Sequence, residues 1–213
     1  MENIAEIRKE YRHAALSEQD VLPDPVAQFS KWWEAVRKSN IEESNAMTLA
    51  TASSDGLPSA RIVLLKGFDQ RGFVFYTNYN SFKGQQLAEN PRACLVFFWK
   101  ELERQVRITG IIERVTEKES EEYFNSRPEA SRISASVSPQ SEVIASREWL
   151  EKKVSEKMES SSQKQIQRPS HWGGYRVKPA IIEFWQGRES RLHDRIQYSL
   201  KEDGAWIIER LAP

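Results

Sequence analysis

Apolar and polar positions follow two different periods along this chain, and the places where the period changes mark out its elements. Residues 1–22 follow neither and read as a mobile or docking N-terminal arm. Residues 23–213 read as one domain without an internal repeat. Asp24-Pro25 opens a helix, with Asp24 as cap and Pro25 at the first helical position. Val26, Phe29, Trp33 and Val36 give it an apolar stripe at helical spacing. The polar stretch Ser39–Asn45 closes it, and period two takes over. Met47–Ala52, Ser59–Phe68 and Phe73–Thr77 read as strands joined by the turns Ser53-Ser54-Asp55-Gly56 and Asp69-Gln70-Arg71-Gly72. Ser81 caps a short helix ending near Asn90-Pro91, and Arg92–Trp99 and Arg104–Glu113 are further strands. Thr116-Glu117-Lys118-Glu119 is a capping box opening a helix to about Arg127. A second helical piece runs through Ser136, Ser146–Ser160 is a charged helix, and residues 160–170 are a polar loop. Gly174–Val177, Ala180–Gln186 and His193–Leu200, paired with Trp206–Leu211, close the pattern. Roughly seven or eight strands with short turns and outlying helices predict a mainly β, α+β chain. Its antiparallel hairpins favour a barrel or sandwich over a parallel sheet.

Composition narrows the function. Lys+Arg and Asp+Glu are both 31 in 213 residues, so the formal charge is zero. A neutral chain makes a poor general binder of nucleic acid or anionic membrane, so any cationic site must be local. The single cysteine, Cys94, lies in the apolar run Ala93–Trp99 and reads as a buried small hydrophobe. It excludes an intrachain disulfide and a multi-cysteine metal site. Only His13, His171 and His193 are available as imidazole ligands, so no metal is expected. The N-terminus has no apolar signal region and no stretch has the length of a membrane span, so the expected compartment is the cytoplasm. There is no G-x-G-x-x-G, P-loop, H-E-x-x-H or G-x-S-x-G motif.

Four segments carry candidate chemistry. The first is Glu183–Arg195. If it is extended, Arg191, His193 and Arg195 share a face suited to a flat, anionic, aromatic ligand. His193 and Asp194 then point oppositely and make a poor dyad. The second is Arg61–Lys66, two cations at the ends of an apolar strand, on opposite faces unless a bulge intervenes. By itself it favours ordinary strand-end charges. In the third, Tyr76-Thr77-Asn78 runs into Ser81-Phe82-Lys83-Gly84, which fits an anion site and a plain capping turn about equally. In the fourth, Tyr123, Arg127 and Ser131 recur every four residues and supply the donors a phosphate monoester takes, although spacing alone favours a solvated helix face.

Together these segments resemble the pyridoxine/pyridoxamine 5′-phosphate oxidase family, flavin enzymes of vitamin B6 salvage. The resemblance runs from about Arg8 to Pro213. It is carried by Arg61–Lys66, Phe75-Tyr76-Thr77-Asn78, Arg104-Gln105-Val106, Tyr123–Pro128, Trp172-Gly173-Gly174-Tyr175, Glu183–Gly187 with Arg191–Arg195, and the terminal Glu209–Pro213. It implies a split β-barrel homodimer with FMN at the subunit interface. FMN contacts are implied for Arg61, Ile62, Val63, Leu64, Leu65, Lys66, Tyr76, Thr77, Lys83, Gln105, Gln140, Ser141, Trp185 and Arg195. The substrate phosphate is implied to meet Lys66, Tyr123, Arg127 and Ser131, and the pyridine ring to meet Arg191 and His193, the catalytic pair. Arg8 and Tyr11 match an N-terminal segment that closes over the site. The implied reaction oxidises pyridoxamine or pyridoxine 5′-phosphate to pyridoxal 5′-phosphate, with dioxygen as acceptor and peroxide as product. The chain departs from the common pattern at Phe82, where many members carry arginine, and at Arg132 and Ser134, where glutamine and glycine are common. A reductase on the same barrel, a non-catalytic flavin or pyridoxal phosphate carrier, and a structural β-barrel interaction module are the rival readings.

Overall fold

The computed structural model describes residues 4–6, 10–12, 14–161 and 166–213. Helix α1 (Pro25–Lys38) starts where Asp24 accepts from the Ala27 amide, with Pro25 in the first turn. Its buried stripe is Val26, Phe29, Trp32 and Val36; Trp32 is 4% exposed, whereas the expected Trp33 is only partly covered. Strands β1 (Ala46–Ala52) and β2 (Pro58–Leu64) form the first hairpin. β3 (Gly67–Asp69) and β4 (Gly72–Asn78) form the second. The predicted strand Ser59–Phe68 is therefore two. It breaks at Leu65-Lys66, where the Leu65 amide donates to the Asn45 carbonyl and the Lys66 amide to the Val74 carbonyl. Ser81 caps α2 (Phe82–Glu89) through the Gly84 amide.

Next come β5 (Arg92–Trp99) and β6 (Arg104–Arg114). The Thr116/Glu119 capping box opens α3 (Glu117–Ser126), followed by α4 (Glu129–Val137) and α5 (Arg147–Ser161). Of the expected 160–170 loop, residues 162–165 lie outside the described residues, and Ile166 is a buried core residue. The two predicted closing strands around Pro179 are one, β7 (Trp172–Gln186). Pro179, which cannot donate to a ladder, sits opposite a register shift at Thr109/Gly110. A side chain at Gly110 would meet the Lys178 carbonyl at 1.9 Å, so only glycine allows that approach. β8 (Asp194–Leu200) and β9 (Trp206–Arg210) end the chain.

All nine strands join one antiparallel sheet ordered β2-β1-β5-β6-β7-β4-β3, with β8 on β7 and β9 on β8. Strand β7 organises it: β6 lines one edge from Tyr175 to Gln186, while β4 pairs with its first half and β8 with its second. The sheet curls around α1, whose Phe29 meets Phe68, Phe73 and Phe97 with ring centroids 4.9–5.3 Å apart. A smaller core of Phe124, Ile133, Ile166 and Trp172 joins α3 and α4 to the start of β7. The opposite face of the sheet is less covered. Cys94 is half-buried there rather than buried, and Ile62 and Phe98 are 65% and 54% exposed.

Candidate functional site

A cavity of about 580 Å³ opens where the second core meets the sheet. Ile62, Val63 and Leu64 at the end of β2 wall one side, with Lys66 just past the strand break. Tyr76, Thr77 and Asn78 at the end of β4 and Lys83 at the start of α2 form another side. Tyr123, Arg127, Ser131 and Ser134 from α3 and α4 close it, with Gln140 and Trp172. Pro128 splits the helix, yet α4 resumes immediately, so Tyr123, Arg127 and Ser131 all face this space and not solvent. The lining holds three cations, Lys66, Lys83 and Arg127, and no carboxylate.

The environment of each cation is incomplete. Lys83 is 8% exposed, and its ammonium donates only to the Thr77 and Ser81 hydroxyls, each at 3.2 Å. Burial, reinforced by the nearby Arg61 charge, pulls its pKa down to about 8. Arg61 sits behind it, donating to the Leu49 carbonyl at 3.2 Å, to Thr51 Oγ1 at 2.6 Å and to Gln86 Oε1 at 3.4 Å. Gln140 Oε1 accepts from Thr77 Oγ1 at 3.2 Å and from the Asn78 amide at 3.4 Å. Arg127 follows the last turn of α3 with its guanidinium over the Trp172 ring, 4.7 Å from the centroid, and its buried Nη1 has no hydrogen-bond partner. Lys66 lies 6.0 Å from the Tyr123 ring centroid. Tyr76 stacks on Tyr123 at 4.0 Å, and burial with the Glu119 charge pushes its phenol up to about 12, so it is a hydrogen-bond donor at neutral pH.

The C-terminal candidates form a second group away from this lining. Trp185 and His193 are 4.6 Å apart, and Tyr11 meets both rings at 5.7 and 5.8 Å. Tyr11 packs where Gly187 leaves room: a Cβ there would lie 2.7 Å from Tyr11 Cγ. Arg191, His193 and Arg195 do not alternate on one strand. Glu189–Arg191 forms a 3-10 turn in which Ser190 and Arg191 take left-handed φ values of 56° and 62°, and β8 begins only at Asp194. His193 Nδ1 accepts from the Arg188 amide at 3.1 Å, which directs its proton to Nε2. Burial and the Arg191 charge lower its pKa, favouring the neutral ring. Asp194 instead accepts from Arg188, Arg210 and the Leu16 amide, so no His193–Asp194 dyad forms. Arg195 is held by Glu183 at 2.9 Å, and Glu183 also pairs with Arg107 at 2.7 Å.

Of the expected site residues, Ile62–Leu64, Lys66, Tyr76, Thr77, Lys83, Tyr123, Arg127, Ser131 and Gln140 line the cavity. Tyr11, Gln105, Trp185, Arg191, His193 and Arg195 do not, and Leu65 lies in the core. Ser141 is exposed beside Gln140 with φ 76°, and Arg8 lies outside the described residues. Gln105 and Arg195 both sit opposite Trp185, placing all three on the less covered sheet face with Phe98. Thr51, Gln86 and Trp172 join the site without a signal of their own in the sequence. Their sequence neighbourhoods carry no charge pattern, and only the fold brings them beside Arg61 and Arg127. Among the described residues, no cluster of three or more His, Cys, Asp or Glu could hold a metal, and no helix is long and apolar enough to cross a membrane.

An acid-free cationic cavity on a split antiparallel barrel suits a phosphorylated ligand. Residues 33–158 match the model of the family described as pyridoxamine 5′-phosphate oxidase. Residues 172–213 match the pyridoxine 5′-phosphate oxidase C-terminal dimerisation region. The chain is 59% identical to a pyridoxine/pyridoxamine 5′-phosphate oxidase of Trichormus variabilis, over 99% of this chain and 98% of that one. It is 54% identical to the protein of the same name from Salinibacter ruber, over the full length of both. Among solved structures, PhzG from Burkholderia lata, determined with tetrahydrophenazine-1-carboxylic acid, aligns with a TM-score of 0.87 at 29% identity. That alignment covers 93% of this chain and 98% of that one. A pyridoxamine 5′-phosphate oxidase-related, FMN-binding protein from Nostoc punctiforme shares the fold, with a TM-score of 0.71 at 16% identity, over 91% and 99% of the two chains. The chain belongs to the pyridoxine/pyridoxamine 5′-phosphate oxidase family. Membership makes it an FMN-dependent oxidoreductase. The residues present suit that cofactor. A buried lysine with hydroxyl partners, Lys83 beside Thr77 and Ser81, is a group that a phosphate would complete.

Proposed function

We propose that the chain oxidises C4′ of pyridoxamine 5′-phosphate and pyridoxine 5′-phosphate to the aldehyde of pyridoxal 5′-phosphate in the cytoplasm. Dioxygen is reduced to hydrogen peroxide; with the amine, water enters and ammonia leaves. The observation that carries the reading is the cavity whose three cations face no carboxylate. Its cations fall into two seats. Lys83 with Thr77, backed by Arg61, suits the FMN phosphate. Lys66, Tyr123, Arg127 and Ser131 suit the phosphate of the substrate. FMN, when bound, supplies the two-electron redox chemistry.

The protein's own residues place and polarise the substrate. The second group, with Gln105, Trp185, Arg191, His193 and Arg195, completes the cavity of the other subunit in a homodimer, which the match to a dimerisation region supports. Arg191, presented on its left-handed turn with no carboxylate partner among the described residues, lies flat against the pyridine ring and fixes C4′, a proximity effect. His193, neutral and with Nδ1 engaged by the Arg188 amide, offers Nε2–H to a ring substituent. Tyr11, packed on Trp185 and His193, closes the arm over the site. Exclusion of water there strengthens every charge interaction inside.

The visible spectrum of the purified protein tests this reading, recorded before and after pyridoxamine 5′-phosphate with peroxide measured alongside. Flavin absorbance that bleaches without oxygen, and stoichiometric peroxide in air, are expected. A yellow protein that binds the substrate and releases no peroxide would make it a carrier. One reduced by NAD(P)H alone would make it a reductase.

A further inference from the structure

The cavity's cations are held by something other than acids, and Arg127 shows what. A guanidinium in a half-buried site ordinarily takes a carboxylate, which fixes its position and cancels its charge. Arg127 has no carboxylate within ion-pair distance among the described residues. It lies instead over the face of Trp172, 4.7 Å from the ring centroid. Trp172 is itself fixed. It is 6% exposed at the first position of β7, meets Phe124 edge-on at 5.3 Å, and is nearly parallel to Tyr76 and Tyr123, at 12° and 10°. Tyr123 in turn stands beneath Lys66. The aromatic group thus reaches both cations of the second seat.

We infer that Trp172 is a positioning residue for substrate phosphate. Its ring face holds the Arg127 guanidinium in place at the cavity wall while leaving its charge uncancelled for the incoming dianion. A carboxylate in the same place would hold Arg127 equally well but would repel the phosphate. The inference rests on the proposed reading of Arg127 as a phosphate ligand, and the test separates the two.

The test uses the FMN-loaded enzyme and two readouts: KM against kcat for pyridoxamine 5′-phosphate, and the inhibition constant of inorganic phosphate. Trp172→Leu removes the ring and is expected to weaken both KM and phosphate inhibition by about fivefold, with the change in KM and not in kcat. Trp172→Phe keeps a weaker ring in the same packing and is expected to lose about twofold; it carries the test on its own should leucine disturb the small core. The decisive comparison is a double-mutant cycle with Arg127→Ala. If Trp172 acts through Arg127, its substitution changes phosphate affinity no further once Arg127 is gone. Equal losses in both backgrounds, or unchanged phosphate inhibition in Trp172→Phe and Trp172→Leu, would overturn the positioning role. Unchanged KM in Arg127→Ala itself would instead overturn the reading on which it rests.

Discussion

Two cationic regions of this molecule look alike in composition and differ in what faces them. Around β8 and β9 four arginines have an acid: Arg195 and Arg107 share Glu183, and Arg210 takes Glu18 and Asp194, with Arg188 also on Asp194. In the cavity, Lys66, Lys83 and Arg127 have hydroxyls and ring faces instead. Burying a charge without a counter-charge is costly, so a fold that leaves Lys83 buried among hydroxyls, with half-buried Arg127 and exposed Lys66 on the same cavity, favours an anion there. Where acids are present, the same residues knit the C-terminus to the sheet. Arg191 belongs to neither pattern: it is a cation of the second region with no acid partner among the described residues, held on a left-handed turn.

The largest effect is therefore expected at Arg191. Arg191→Met should lower turnover by roughly 30–150-fold, the loss of about 2–3 kcal/mol of transition-state contact, while FMN stays bound. Steady-state rates with flavin content measured in parallel check this, and unchanged turnover would remove Arg191 from the chemistry. Next comes the acid that distinguishes the paired region. Glu183→Gln leaves Arg107 and Arg195 without their counter-charge and is expected to destabilise the protein by about 1–2 kcal/mol, less than a fully buried pair because both arginines are partly exposed. A thermal melt reads it out. A variant as stable as the parent would mean that pairing is not what separates the two regions.

The smallest effect is a pH dependence. Lys83 in the free protein holds its proton with a pKa near 8, and a bound phosphate raises that value. Between about pH 7, where the FMN phosphate is already a dianion, and pH 8 the lysine is charged and FMN affinity is flat. Above it, binding must take up a proton, and affinity should fall by up to about tenfold per pH unit until the bound-state pKa is passed. Titrating the apoprotein with FMN at several pH values tests the sign, and affinity that rises above pH 8 would contradict it.

The sequence made the fold's boundaries readable wherever local chemistry sets them. Asp24 with Pro25, Ser81, and the Thr116–Glu119 box each start the helix they signal, because a cap is a contact between near neighbours. Long-range contacts set the rest. Ser59–Phe68 reads as one strand around the apolar run Ile62–Leu65, and the hydrogen bonds from the Leu65 amide to Asn45 and from the Lys66 amide to Val74 break it in two. Pro179 looked like the end of a strand, yet the register shift at Gly110 on the neighbouring strand absorbs it. The spacing of Arg191, His193 and Arg195 suggested one strand face, which the left-handed pair Ser190 and Arg191 replaces with a turn. The site was legible as a set of segments through family resemblance. Its division into an acid-free cavity and a separate C-terminal group is a property of the three-dimensional chain alone.

The most direct test of that division is subunit complementation. Lys83→Ala impairs the cavity half and Arg191→Met the C-terminal half. If each site draws one half from each chain, co-expressing the two variants should restore about a quarter of parental activity, because half of the dimers are mixed and each of those has one site with both halves intact. Activity no greater than the sum of the two variants measured separately would contradict a site shared between subunits.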